Sequence, residues 1–518
     1  MGHGQWGRWW VLLAWGVAMP LWAADARPNV LFIPIDDLND WVGHLGGNPD
    51  VKTPNLDRLA ARGVSFANAH CAAPACNPSR TALMSGLRPF STGVYHNHHN
   101  WIEALADKLT LGEHFRACGY RVIGGGKIFH GEVPEKYWDD YYRRQELPPP
   151  KTPYNGLDRG HFDWHALDIP TEEMPDYKLV SWAIEQMGQK QYKPLFLAVG
   201  FVKPHLPWYA PRKYFDMYPK DKLTLPKVPD DDLSDVPPIG VKMARPEGDH
   251  KAVIESGQWR DAVQAYLATI TFVDDQIGRL IDGFDRSPLA ANTVIVLWGD
   301  HGWHLGEKHH WRKFSLWEEA TRAPLMIVAP GVTKPGQLCS RPVDFTGIYP
   351  TLCDLCGLAR PPHLQGVSLL PLLKDPQARW DRMALTTHGR GEHAVRSEQW
   401  RYIRYHDGTE ELYDHAVDPM EWKNLAQQPQ RGDLKQQMGQ WMPKQEAPEA
   451  GLLRGEKREG QGEKKAAKDL SHNRPSQAGR PSRTELATGF GTGPKKGEGK
   501  KGGGKKSGKA KTTVAPEE

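Results

Sequence analysis

At 518 residues, with 39% hydrophobic, 10% aromatic and 25% charged residues, the chain can bury a large core and fill one large or two ordinary domains, which excludes a small disulfide-stapled module. Its formal net charge of +4 conceals an asymmetry: residues 451–518 carry 17 Lys and Arg against 8 Asp and Glu, leaving 49 basic and 54 acidic residues in 1–450. A mildly acidic body offers no one-faced Lys/Arg footprint for a specific nucleic-acid complex, so only the tail could hold nucleic acid, through charge alone.

Arg8, an apolar run over residues 9–22 and then Ala23, Ala24 and Ala26 follow the basic, apolar, small-residue order of a secretory signal. This predicts a signal peptide over 1–24 and a secreted or periplasmic mature chain. No later stretch approaches the roughly 18 unbroken apolar residues of a membrane span, so no transmembrane segment is expected. Short apolar runs at 29–35, 121–124, 195–200, 293–298 and 325–329 read as buried strands, and segments of 3.6-residue periodicity at 54–62, 177–187 and 259–284 read as helices between them. The alternation predicts an α/β catalytic domain over 25–379, with a mostly parallel sheet and ligands at the carboxyl ends of its strands.

From about Trp380 the texture shortens to alternating pieces at 393–397, 400–405 and 411–413, followed by a helix around 434–441, which predicts a smaller antiparallel subdomain over 380–444. Residues 445–518 are Gly, Lys, Glu, Ser and Pro with almost no aromatics. They cannot bury enough surface to offset ordering entropy and are expected to form a disordered basic tail that binds polyanions. The six cysteines are too sparse for a bridge framework. Cys353 and Cys356 fall in an apolar helical stretch and read as buried thiols rather than a redox pair.

Candidate chemistry gathers at the strand ends. Asp36-Asp37 directly follow the first run, and adjacent carboxylates there repel one another unless a cation lies between them, with hard oxygen ligands suiting Ca²⁺ or Mg²⁺. An Asx turn closing the strand is the plainer alternative. Asp300-His301 end the 293–298 run in the same way, and two such pairs in a parallel sheet can converge on one ion. Cys76-Asn-Pro-Ser79-Arg80 places a Cys before the mouth of a helix predicted to start near Ser79, where the dipole and backbone N–H groups favour an anion and Arg80 can pair with it. A buried Cys before a capped helix is the competing reading.

The segment Cys76-x-Pro-x-Arg80, ending in Met84-Ser-Gly86, resembles the signature of type I sulfatases, in which that Cys is oxidised to formylglycine. Gly125-Gly-Lys127-Ile-Phe-His130, Ala198-Val-Gly-Phe-Val-Lys203-Pro-His205 and Asp300-His-Gly-Trp-His-Leu-Gly-Glu307 with Lys313 resemble three further clusters of iduronate-2-sulfatase and its bacterial relatives. The resemblance covers about 27–426. Phe314 departs from it, standing where the human enzyme type has Tyr, and the basic tail has no counterpart.

That resemblance implies an alkaline-phosphatase-like sandwich. It also implies that formylglycine from Cys76, with Asp36, Asp37, Asp300 and His301, holds one divalent cation, Ca²⁺ or else Mg²⁺. Arg80 and Lys127 would orient the aldehyde hydrate, His130 would take the proton of its spare hydroxyl, and His205 and Lys313 would contact the sulfate and the departing oxygen. Trp303 would line the substrate pocket. The implied activity is a sulfuric ester hydrolase acting on a sulfated carbohydrate, matured by a formylglycine-generating enzyme. A phosphonate or phosphate ester hydrolase of the same superfamily is the nearest enzymatic alternative, and a glycan-binding protein with unmodified Cys76 is the non-catalytic one.

Overall fold

The computed structural model describes residues 1–2, 27–131 and 133–453. The apolar run read as a signal and the basic sequence beyond Leu453 lie outside the described residues. Strands β1 (Asn29–Ile35), β2 (Val64–Phe66), β3 (Arg121–Gly126), β4 (Asp140–Tyr142), β5 (Leu195–Gly200), β6 (Thr293–Gly299), β7 (Leu325–Val328) and β8 (Gln337–Cys339) form one sheet in the order β8-β2-β7-β6-β1-β5-β3-β4. Pairing is parallel throughout except at β7, which runs antiparallel to both β2 and β6.

Continuous apolar runs form these strands because both faces are covered. Leu31, Ile33 and Ile35 point to one face, where helices α1 (Pro54–Ala60), α3 (Pro175–Gly188) and α4 (Trp259–Asp285) pack; Val30 and Phe32 point to the other, against α2 (Cys76–Ser85) and α5 (Ile348–Leu355). Each fully buried Leu, Ile or Phe contributes about 1.5–3 kcal/mol to this sandwich. The first turn of α1 has no side-chain cap of its own. Asp274 of α4 supplies one, accepting from the amides of Asn55 at 3.0 Å and Leu56 at 2.7 Å, which locks α1 onto α4.

Four antiparallel strands follow, β9 (Ala384–Thr387), β10 (His393–Arg396), β11 (Trp400–Arg404) and β12 (Glu410–Asp414), with helix α6 (Gly432–Gly439) beside them. The sheet joins the larger one by specific bonds. Thr387 N–H donates to the Ala72 carbonyl at 2.9 Å and the Thr386 hydroxyl to that of Cys71 at 2.7 Å. Buried Arg396 pairs with Glu318 at 3.1 Å and Arg401 with Glu421 at 2.6 Å, and His415 closes the network on Glu421 at 2.9 Å.

Two expectations are corrected. Helix α2 starts at Cys76 itself rather than near Ser79, because Asn-Pro occupy its first turn, where a missing proline N–H costs no hydrogen bond. The expected tail from residue 445 begins as an ordered strap: Ala447 and Ala450 donate to the carbonyls of Phe90 and Gly93, Leu453 donates to that of His98, and the Gly451 carbonyl accepts from Asn100. Glu446 lies 3.3 Å from His393 Nε2. Backbone pairing needs no apolar side chain, which is why composition missed it. All six cysteines are free, and burial pushes the thiols of Cys353 and Cys356 up to about 12 and about 11. Among the described residues no helix is long and apolar enough to cross a membrane.

Candidate active site

Sheet register assembles the first half of the site. Ile35 of β1 lies opposite Gly299 of β6, so Asp36-Asp37 and Asp300-His301 leave neighbouring strand ends together, with Asp300 N–H donating to the Ile35 carbonyl at 3.1 Å. All four side chains are buried. Asp37 takes a left-handed backbone at φ +59°, held because its amide donates to Asp300 Oδ1 at 3.0 Å and its carbonyl accepts from the Tyr266 hydroxyl at 2.7 Å.

Helix α2 supplies the second half. Cys76, its first residue, puts its sulfur 3.1 Å from Lys313 Nζ, 3.4 Å from His301 Nε2, and 3.9 Å from both Lys127 Nζ and Asp37 Oδ1. One turn on, fully buried Arg80 donates from Nε to Asp300 Oδ2 at 2.8 Å and from its NH2 nitrogen to Asp36 Oδ1 at 3.1 Å, and its NH1 nitrogen is held by the Lys127 carbonyl at 2.5 Å. Lys127, just past β3, pairs with Asp36 Oδ2 at 2.6 Å; Lys313 pairs with Asp37 Oδ1 at 2.8 Å. His205, in the turn after β5, donates from Nδ1 to the Leu206 carbonyl at 2.6 Å and turns Nε2 toward Asp37 Oδ2, 3.9 Å away. His130 is buried on the loop that carries Lys127, its carbonyl accepting from the Trp101 indole at 3.1 Å.

Three buried carboxylates thus face three permanent cations, with Lys127 and His205 partly exposed beside them. Burial works against ionisation of Asp36, yet Lys127, His205 and Arg80 hold it well below the usual carboxylate range. Asp37 goes the other way, pushed by burial up to about 7 although Lys313 opposes the rise. Burial also disfavours charge on His301, but Asp300 and Cys76 lift it to about 9. The ligand atoms of Asp36, Cys76, Asp300 and His301 all lie within 4.8 Å of one another, as do those of Asp36, Asp37, Cys76 and His205. Asp37 Oδ2 is buried and has no hydrogen-bond partner among the described residues. Three carboxylates clustered with a cysteine sulfur and an imidazole fit one divalent cation.

Trp303, expected to line the substrate pocket, is 1% exposed and packs on Trp208 and Tyr266, with Lys313 Nζ 5.2 Å from its ring centre. Other residues escaped the sequence reading. Ser79 donates its hydroxyl to the Asp300 carbonyl at 2.5 Å, Asn39 donates its side-chain amide to the Trp303 carbonyl at 3.2 Å, and Lys203 holds the His205 turn by donating to its carbonyl at 2.9 Å. Asn77 binds three carbonyls of the 96–99 loop. Ser79 lay inside the signature and Lys203 inside a quoted cluster; nothing in the sequence pairs Asn39 or Asn77 with their partners.

An α/β sheet whose strand ends gather carboxylates and cations around one side chain at a helix mouth has the architecture of the alkaline-phosphatase-like hydrolases, built for esters of tetrahedral anions. The family profile described as Sulfatase matches residues 28–358, and one described as N-sulphoglucosamine sulphohydrolase, C-terminal, matches 306–447. The chain belongs to the sulfatase family and is a sulfatase hydrolase. It is 42% identical over 424 residues to a sulfatase of Formosa agariphila, covering 77% of this chain and 83% of that one. To iduronate 2-sulfatase of Homo sapiens it is 31% identical over 389 residues, covering 65% and 70%. A solved 2-O GAG sulfatase superposes with a TM-score of 0.63 at 24% identity, covering 79% of this chain and 90% of its own. The phosphonate monoester hydrolase of Agrobacterium radiobacter gives 0.67 at 23%, covering 80% and 94%; at these identities both report the fold.

Proposed function

We propose that the chain is a secreted or periplasmic enzyme that removes O-sulfate from a sulfated sugar or polysaccharide, with Cys76 oxidised to formylglycine by a formylglycine-generating enzyme. The observation that carries the reading is the Cys76 side chain at the mouth of α2, within 4 Å of Lys313, Lys127, His301 and Asp37. The likeness to iduronate 2-sulfatase supports a sugar sulfate as substrate.

Asp36, Asp37, Asp300, His301 and the modified Cys76 would hold one Ca²⁺ or Mg²⁺, which supplies Lewis-acid activation of a hydroxyl and of the sulfate oxygens. Formylglycine supplies, as its hydrate, one hydroxyl for attack on sulfur and a second whose deprotonation expels sulfate. The surrounding side chains serve that chemistry. Arg80 fixes the two carboxylates that flank the nucleophile. Lys127 and Lys313 compensate charge that grows on sulfate oxygens in the transition state. His205, facing the nucleophile from the β5 side, is placed in the reading beside the oxygen that departs, and His130 beside the spare hydroxyl.

Matched assays decide between the enzymatic readings. Turnover should be higher on sulfated oligosaccharides than on phosphonate and phosphate esters of similar size; the opposite order assigns the site to the phosphonate hydrolases. His205→Ala should lose more rate on sugar sulfates than on activated aryl sulfates, whose phenolate needs little protonation. Equal losses would deny His205 the leaving-oxygen role.

A further inference from the structure

Beside the nucleophile lies a polar wall that the chemistry above does not use. Its first half is the loop 94–99. Asn77, the neighbour of Cys76, donates its backbone N–H to Asn97 Oδ1 at 3.0 Å and its side-chain amide to the carbonyls of Asn97 at 2.9 Å and His99 at 2.7 Å. Its second half is His388, at the end of β9, whose position follows from the bonds of Thr386 and Thr387 to Cys71 and Ala72. Both halves are therefore anchored on residues within five positions of Cys76.

The halves meet. His96 lies 5.7 Å, ring to ring, from His388 and 5.4 Å, stacked, from His98, while His388 lies 6.3 Å from Phe314, the residue after Lys313. The row His96, His388, Phe314 thus leads from a partly buried position to the lysine that touches Cys76. Two of its groups stand out. Asn97 and His388 are 5% and 9% exposed, and among the described residues Asn97 Nδ2 and His388 Nδ1 have no hydrogen-bond partner. A buried polar group left unpaired costs about 1–3 kcal/mol, so natural structures keep few of them and a ligand is one way to satisfy them.

We infer that His96, Asn97, His388 and Phe314 form a carbohydrate subsite, which holds the sulfated sugar ring by hydrogen bonds to its hydroxyls and by packing its apolar face on Phe314. The inference rests on the sugar-sulfatase reading above and names the residues that would recognise the sugar rather than the sulfate. Hydroxyls are fitting partners because the four side chains themselves carry no charge: burial, with His96, His310 and Arg245 nearby, holds His388 down to about 3, and burial lowers His96 as well. An amide N–H and neutral imidazoles offer both donors and acceptors, as a hydroxyl requires.

The test uses the full chain and two probes, a panel of sulfated disaccharides from heparan sulfate, chondroitin sulfate and carrageenan, and the compact aryl ester 4-nitrocatechol sulfate. His388→Phe keeps a flat aromatic ring and removes both nitrogens; His96→Ala, at a less buried position, is the second variant should the first not fold. Each should lose about tenfold or more in kcat/KM on the best disaccharide relative to the aryl ester, mainly through KM. His388→Gln, which restores a donor and an acceptor, should recover part of that loss. Equal effects on both probes, or none, in variants that melt like wild type would overturn the subsite. If wild type turns over 4-nitrocatechol sulfate but no disaccharide, the sugar reading itself fails and the subsite with it, an outcome distinguishable from the first.

Discussion

Arg80 shows how one residue fixes a site. Its guanidinium is fully buried and spends its donors on Asp36, Asp300 and the Lys127 carbonyl, so both strand ends and the β3 loop are registered on a single planar fork. Asp300 is the other half of that lock. Asp300→Asn keeps the oxygen that accepts from Asp37 N–H but removes the charge that Arg80 and a cation need, so metal content after dialysis should fall together with a loss of about a hundredfold or more in kcat. Elemental analysis beside kinetics checks it, and full metal content in the variant would remove Asp300 from the ligand set.

Glu307 makes a different, stability-linked prediction. With Asp40, Glu318 and Glu319 it lines a cavity of about 530 Å³. Burial, helped by Asp40 and Asp232, pushes it from the ordinary 4.5 up to about 7, although Leu305 N–H donates to it at 2.6 Å. The folded chain therefore takes this proton before the unfolded chain does. Ionised Glu307 costs nothing below about pH 4.5 and progressively more up to about pH 7, above which the cost is full. Glu307→Gln should raise Tm at pH 8 and raise it less at pH 5. An equal shift at both values would show that the carboxylate is not strained by its surroundings.

At the scale of elements, the strap over 445–453 sets where the chain can be cut. A chain ending after Lys444 loses the bonds to Phe90, Gly93, His98 and Asn100, which steady the loop that packs against Asn77, and its Tm should drop by several degrees, about what 1–3 kcal/mol does to a domain this size. A chain ending after Leu453 should melt like the full one. Calorimetry on the two chains separates them, and identical melting would make the strap dispensable. The strap also marks the limit of pattern reading. Strands β1, β5 and β6 and the 27-residue α4 follow apolar periodicity, and the sequence places them within a residue or so. The antiparallel sense of β7 and the strap depend on backbone partners far away in sequence, which local pattern does not carry, and α2 starts three residues early because Asn-Pro opens its first turn instead of breaking it. The same division runs through the site. Asp36, Asp37, Cys76, Arg80, Asp300 and His301 were legible from motif and strand-end position, and Lys127, His205 and Lys313 from the family resemblance. The depth of Trp303, 1% exposed beneath Lys313, is set by packing on Trp208 and Tyr266, which spacing does not carry.

The molecule as a whole joins a mildly acidic body to a tail whose residues 454–518 hold 17 Lys and Arg against 8 Asp and Glu. The strap ends with Leu453 donating to the His98 carbonyl, beside the inferred sugar wall. Everything in the catalytic account, however, passes through one carbon of residue 76. Mass spectrometry of the peptide containing Cys76, taken alongside turnover of an aryl sulfate, tests it most directly. Active preparations should show a loss of about 18 Da relative to cysteine, the shift from thiol to aldehyde that lies off the ordinary sulfur oxidation ladder, with activity in proportion to the modified fraction. Full activity from protein whose Cys76 is unmodified, or replaced by Ala, would contradict the account.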